Sequence, residues 1–237
     1  MKLIALPFAG GMGNEFKSWK ALIGDRLELI TVQYPGRGQR SEEPCATTFN
    51  VLLEDIYKQV ILNIKDGQEY MLFGHSMGCI FTYELYFKLK ENGYKLPCHV
   101  FFSGNRTPKE CLKDSKMSEL EEAKFRDYFV QLGGISTSVL EDEKMSYHLF
   151  KRLRKDVRAL ESYIYTSKDM MIDCEVSILN GTQDHFVSDV SSWEALLGKK
   201  CHYKHYEGGH FFVFNQKVSV TAYIMAVAEQ LEICSVV

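Results

Sequence analysis

The stretch Tyr70-Met71-Leu72-Phe73-Gly74-His75-Ser76-Met77-Gly78-Cys79 decides how this chain is read. Apolar residues of strand character run into Gly74-His75-Ser76-Met77-Gly78, and a helical pattern leaves it at once. Strand, sharp turn and helix around G-x-S-x-G are the setting that lifts a serine hydroxyl clear of the backbone. Side chains at the two flanking positions would collide with the adjoining strand and helix, so Gly74 and Gly78 leave that space empty. The N–H of Met77 then falls at a helix N-terminus, where it can bind developing negative charge. A bare G-x-S-x-G also occurs by chance as a glycine-flanked turn, but the elements on either side favour a nucleophile at Ser76.

Working outward, the 237 residues suffice for one α/β domain or two small ones, and easily for a large core. A formal net charge of -3 gives no reason to expect nucleic acid as a partner. No apolar run approaches the roughly 20 residues that cross a bilayer, so no membrane span is expected. Met1 to Phe8 is too short for a signal peptide and reads as a first strand. Seven cysteines, an odd number without C-x-x-C, argue against a disulfide or metal framework and for a reducing cytoplasm.

Strand patterns at Lys2–Phe8, Leu27–Tyr34, before the elbow, at His99–Ser103, Cys174–Asn180 and His202–Tyr206 alternate with helical patterns. That alternation predicts a mostly parallel sheet with helices on both faces. From about residue 105 to 171 the alternation stops, and only helical spacings are found, around Phe125 and Phe129 and then around Leu149, Leu153, Val157 and Leu160. This insert reads as a helical lid on a single domain, 1–237. The glycine-rich Gly10-Gly11-Met12-Gly13 after the first strand lacks the third glycine of a dinucleotide loop, since Phe16 stands there. It fits better as an oxyanion loop, with the N–H of Phe8 or Ala9 as second donor. Arg37 and Arg40, in a turn-rich loop, are read evenly as solvated or as lying at the edge of the site.

A serine needs a base, and the base needs a group that orients it. In elbow hydrolases the chain order is Ser, then Asp or Glu, then His, each at the carboxyl end of a strand. Asp184 and His210 occupy those places. His75 adjoins the nucleophile with its ring expected to point away, and His185 falls in the wrong order. His99, His148, His202 and His205 read as packing, surface or lid residues. Among acids, Asp173 and Asp189 are nearby alternatives, and the loop Ser103-Gly104-Asn105 offers no carboxylate. The parts imply acyl transfer through an acyl-enzyme, with thioester and oxygen ester left open. A carboxylesterase or lipase, or an acyltransferase, would use the same triad.

Four segments together resemble the type II thioesterases of nonribosomal peptide and polyketide synthesis: Leu6-Pro7-Phe8-Ala9-Gly10-Gly11, Tyr34-Pro35-Gly36-Arg37-Gly38, Phe73-Gly74-His75-Ser76-Met77-Gly78 and Gly208-Gly209-His210-Phe211. Gln131-Leu132-Gly133-Gly134 and Arg154-Lys155-Asp156-Val157-Arg158-Ala159-Leu160 are similar to the lid of that family. Cys79 departs from its usual Gly or Ala and would narrow the space behind the elbow. The resemblance implies an α/β-hydrolase fold and a stand-alone, monomeric, cytoplasmic editing enzyme. It implies as partners the acyl or peptidyl carrier domains of a synthetase, whose own phosphopantetheine bears the acyl group, so the enzyme needs no cofactor or metal. Because carrier domains are generally acidic, Lys151, Arg154, Lys155 and Arg158, along one side of a helix, become candidate docking residues. The plainer reading of that charge run, a solvated helix face, is the favoured one.

Overall fold

In the computed structural model the first strand, β1 (Lys2–Leu6), lies between β2 (Glu28–Thr31) and β3 (Tyr70–His75). β4 (His99–Ser103), β5 (Glu175–Gly181) and β6 (His202–Tyr206) follow outward, giving the order β2-β1-β3-β4-β5-β6. Every neighbouring pair is parallel, with Lys2 opposite Glu28 and Tyr70, and His99 opposite Met71 and Glu175. The structure describes residues 1–111, 116–187 and 189–235. Positions 112–115, inside the expected lid, and 236–237, at the end of the expected domain, lie outside the described residues, as do Ser188 and the side chains of Cys234 and Ser235.

The strands are apolar on both faces because both are covered. Leu3, Ala5, Met71, Phe73, Phe101 and Leu179 pack on one side with α1 (Lys17–Ile23) and α9 (Lys217–Ser235). Ile4, Leu6, Leu72, Val100, Phe102 and Ile178 pack on the other with α2 (Phe49–Ile64), α3 (Met77–Glu91) and α7 (Ser192–Leu197). Alternate residues of one strand thus serve two cores, as a period of two demands. Thr48 caps α2, its hydroxyl accepting from Val51 N–H.

Two elements end sooner than their patterns predict. β1 stops at Leu6, and the pairing of β2 at Thr31. After one more bond, Val32 N–H to Ala5 O, the backbone of Gln33 leaves the sheet. The Gln59 carboxamide then accepts from Gln33 N–H and donates to its carbonyl, a local substitute for a ladder pair. Between β4 and β5 the described residues form no strand. They form α4 (Glu122–Leu132), α5 (Thr137–Glu141) and α6 (Glu143–Glu161), with a small core of Phe125, Phe150, Leu153 and Val157. A short helix not foreseen, α8 (Phe212–Asn215), precedes α9. Among the described residues no helix is long and apolar enough to cross a membrane.

Because β2 and β3 lie on opposite sides of β1, the loops after β1 and β3 diverge there and open a crevice at the carboxyl edge. That is where ligands settle in open parallel sheets. Phe8 and Ala9 leave β1 at this edge, and Ser76 leaves β3.

Candidate active site

Ser76 has φ 54° and ψ −119°, and it is the one residue other than glycine with positive φ among those described. Such a conformation costs on the order of 1–3 kcal/mol and persists only where the surroundings enforce it. Here both backbone groups are tied. Ser76 N–H donates to Ser103 O at 2.8 Å, while its carbonyl accepts from Cys79 N–H and from the Asn105 carboxamide. The flanking glycines are needed for contact. A Cβ on Gly78 would stand 2.2 Å from Leu6 O, and one on Gly74 would stand 2.3 Å from Gly78 O. At Gly78 the oxyanion loop and α3 therefore touch backbone to backbone, and at Gly74 the strand meets both the α3 backbone and the Thr82 hydroxyl.

Asp184 and His210 come from the loops after β5 and β6, which are joined by Thr182 N–H to Tyr206 O and Gln183 N–H to Gly208 O. Gly181 allows this closeness, since a Cβ there would fall 2.5 Å from the carbonyls of Gly208 and Gly209. His210 Nε2 lies 2.9 Å from Ser76 Oγ, and His210 Nδ1 lies 2.8 Å from Asp184 Oδ2. Asp184 Oδ1 accepts from Phe186 N–H, so both carboxylate oxygens are engaged and the side chain is buried. Three residues up to 134 apart in sequence thus form one hydrogen-bonded chain.

His75 is buried beside this chain, with Nδ1 3.0 Å from Ser103 Oγ. Burial first, and then the adjacent His210, hold its pKa well below the usual imidazole value, so the ring is neutral. It lies among Phe8, Phe211, Phe212 and Phe214 and packs edge-on against His210's neighbours. His185 is exposed, and His99 bonds Ser177 far along the strand.

The second side of the site is the loop after β1. Tyr34 Oη donates to Pro7 O at 2.7 Å, and Gly11 N–H donates to Phe8 O at 3.0 Å. Among the described residues no protein acceptor takes the N–H of Phe8, Ala9 or Met77. Beside Phe8, Ala9 and Phe211 opens a cavity of about 500 Å³, walled by Phe129, Ile135, Val139, Leu149 and Leu153 of the insert. Gly133 and Gly134, both with positive φ, bring the insert against the Phe211 ring.

Arg37 is not solvated, and lies against the loop after β1. Its guanidinium makes a bidentate pair with Asp156 of α6 at 2.6 and 2.7 Å, and both side chains are buried. Burial alone would lower the Arg37 pKa, and Asp156 more than reverses this. Arg40 pairs with Glu43 of the same loop and with Asp55 of α2, both part-exposed. The basic face of α6 divides. Arg154 donates to Ser118 O, Leu120 O and Glu122, with its guanidinium 4.0 Å over the Phe125 ring, and so is engaged within the insert. Lys151, Lys155 and Arg158 are exposed along a groove that Arg126 and Tyr147 also line. Among the described residues no group of His, Cys, Asp and Glu could hold a metal.

Sequence reasoning missed Asn105 as a prop for the elbow, and it missed Asp156 and Arg152. In the sequence Asn105 stands out only as a position without a carboxylate. Trp193 Nε1 donates to its carbonyl and fixes it in turn. For Asp156 the sole signal was a charge within an apolar helical stripe between Leu153 and Leu160.

The model of the thioesterase domain matches residues 1–228. The chain belongs to the thioesterase family. Its relatives include the gramicidin S biosynthesis protein GrsT of Aneurinibacillus migulanus, 26% identical over 94% of this chain and 87% of that one. ClbQ, of a colibactin NRPS/PKS pathway, superposes with a TM-score of 0.91 at 28% identity over 98% of both chains. RedJ, a thioesterase of the prodiginine pathway in Streptomyces coelicolor, gives a TM-score of 0.86 at 28% identity, over 95% of this chain and 84% of its own. The fold is thus the α/β-hydrolase fold of these enzymes, and the thioesterase chain is a thioester hydrolase.

Proposed function

We propose that this thioesterase is a type II, editing enzyme, which removes acyl groups from the phosphopantetheine thiol of acyl or peptidyl carrier domains in a nonribosomal peptide or polyketide synthetase. The observation that carries the reading is the chain Ser76 Oγ, His210 Nε2, His210 Nδ1, Asp184 Oδ2, with spacings of 2.9 and 2.8 Å. His210 takes the Ser76 proton as Oγ attacks the thioester carbonyl. Asp184 keeps the proton of Nδ1 in place and stabilises the imidazolium. The N–H of Met77, with that of Phe8 or Ala9, receives the oxyanion, each donor worth about 3 kcal/mol in the barrier. His210 then protonates the departing thiolate sulfur, and water repeats the sequence against the acyl-enzyme. No cofactor enters any step.

The cavity beside Phe8 and Phe211 would take the acyl chain, and its apolar walls suit a hydrocarbon. GrsT and ClbQ, named for antibiotic and NRPS/PKS pathways, support a carrier-bound substrate over a free one.

The test is to offer acetyl-loaded carrier protein, a p-nitrophenyl ester and an alcohol acceptor in parallel. Rapid deacylation of the carrier is expected, with a loss of at least about 10³-fold in Ser76→Ala. A preference for the oxygen ester would replace the reading with an esterase, and transfer to the alcohol with an acyltransferase.

A further inference from the structure

The loop that carries Phe8 and Ala9 is gripped by α6 through both backbone groups of one residue, Gly10. Gly10 N–H donates to Asp156 Oδ2 at 2.7 Å, and Gly10 O accepts from Arg152 Nε and Nη2, both at 3.2 Å. Arg37 Nη1, bonded to the same carboxylate, also donates to Gly11 O at 3.0 Å. Leu153 closes the fourth side, since a Cβ on Gly10 would meet its Cδ1 at 3.2 Å. Arg152, Leu153 and Asp156 share one face of the helix. The Asp156 carboxylate accepts three N–H bonds, one from Gly10 and two from Arg37, and its side chain is 4% exposed. A buried ion pair is a poor source of stability but a good device for fixing one geometry.

The consequence concerns the oxyanion. With Pro7 O held by Tyr34, Phe8 O by Gly11 N–H, and Gly10 by α6, the loop has little freedom except where Phe8 and Ala9 present their N–H groups. We infer that Asp156, Arg37 and Arg152 are positioning residues that hold the second oxyanion donor in register with Ser76, so that the oxyanion site is complete only while α6 is docked on the loop. This rests on the proposed role of Ser76 and of the loop after β1. Its content beyond that role is that the insert serves the chemical step, as well as walling the cavity.

Two variants test it. Arg37→Met with Asp156→Leu replaces the pair by apolar groups of similar length and leaves no lone buried charge. Arg152→Met keeps the aliphatic stem at a half-buried position on the wall of the cavity and removes the guanidinium with its bonds to Gly10 O. The measurements are kcat and KM on an acetyl thioester of N-acetylcysteamine, the melting temperature, and inhibition by an acyl trifluoromethyl ketone. With that ketone Ser76 Oγ adds reversibly to the carbonyl, its proton passes to His210, and the carbonyl oxygen becomes the bound anion. The double variant should lose about 10- to 100-fold in kcat, less than the 10²–10³ of a deleted donor. KM should stay within about twofold, and Ki for the ketone should rise by the same factor as kcat falls. Arg152→Met should show the same pattern at about 3- to 10-fold with an unchanged melting temperature.

A purely structural role would lower the melting temperature and the active fraction without moving Ki. A folded Arg152→Met variant with the parental kcat and Ki would overturn the inference, whatever the double variant does. Ser76→Ala, run alongside, separates the two levels. If it is inactive while the clamp variants behave as the parent, the triad reading stands and the positioning role falls. If it is active, the triad reading itself has failed.

Discussion

The elbow and helix α6 hold opposite sides of the same loop, by different means. At the elbow the contacts with the loop are backbone against backbone, made through the missing side chain at Gly78, while Ser76 N–H to Ser103 O and the Asn105 carboxamide hold the turn behind it. Along α6 they are side chain against backbone, made by Arg152 and Asp156, with Arg37 reaching across 119 residues to complete them. The first kind tolerates no added atom. The second tolerates changes of atom type if charge and bonding are balanced.

The sharpest way to break this contrast is Gly78→Ala. The new methyl would stand 2.2 Å from Leu6 O and 2.8 Å from Pro7 O, and backbone atoms of a buried strand end cannot step aside as a side chain can. A loss of roughly 4 kcal/mol or more, or failure to fold, is expected in urea unfolding. Arg158→Ala on the exposed face of α6 should change stability by no more than about 0.5 kcal/mol. If Gly78→Ala unfolds at the same urea concentration as the parent, steric fit at the elbow is not what holds the loop.

The same contrast explains what could be read in the chain of residues. Close backbone approach needs glycine, and glycine at two fixed positions around Ser76 is visible in a single sequence. The strands too are visible, because burial on both faces writes continuous apolar runs such as Tyr70 to Phe73. Asp184 and His210 followed from the ends of those strands. Arg37 and Asp156 left no such trace. A charge that ends in a buried pair looks, in one sequence, like a charge that ends in water, and nothing local ties position 37 to position 156. Arg154 shows the converse. It sits in a basic run with Lys151, Lys155 and Arg158, yet only the fold turns it onto Phe125 and Glu122.

Acid should sharpen the comparison from the side of the sheet. His99, buried near the amino end of β4, is pushed down to about 3, by burial first and then by His202 and Lys199, and His75 is lowered by its own burial. Both are neutral in the fold, whereas in the unfolded chain they take protons near pH 6.5. The unfolded state therefore binds more protons as pH falls below about 6.5, and stability falls with it down to the folded values. For His99 the loss by pH 3 is on the order of a few kcal/mol. Melting curves from pH 7 to pH 4 should show the decline, and His99→Gln, which can still bond Ser177, should flatten it. An unchanged slope in that variant would shift the acid sensitivity to other groups.

The smallest effect expected lies on the outer face of α6, where Lys155 and Arg158 are exposed and Lys151 is near them. If that face meets an acidic carrier domain, its charges act on encounter and orientation at a distance from the chemical step. Lys155→Glu with Arg158→Glu should then lower kcat/KM for an acyl-carrier protein about 5- to 20-fold. The loss should shrink as salt rises, because exposed charges are screened beyond about 10 Å at 0.1 M. Turnover of a small acyl thioester should not change, since neither side chain takes part in the grip on Gly10 that Arg152 and Asp156 make. Arg154 is left out of the variant because its bonds to Ser118 and Leu120 would confound docking with the packing of the insert. Equal losses on both substrates would show that the outer face, like the inner one, acts through the fold of the insert, and that α6 does not have two separable faces.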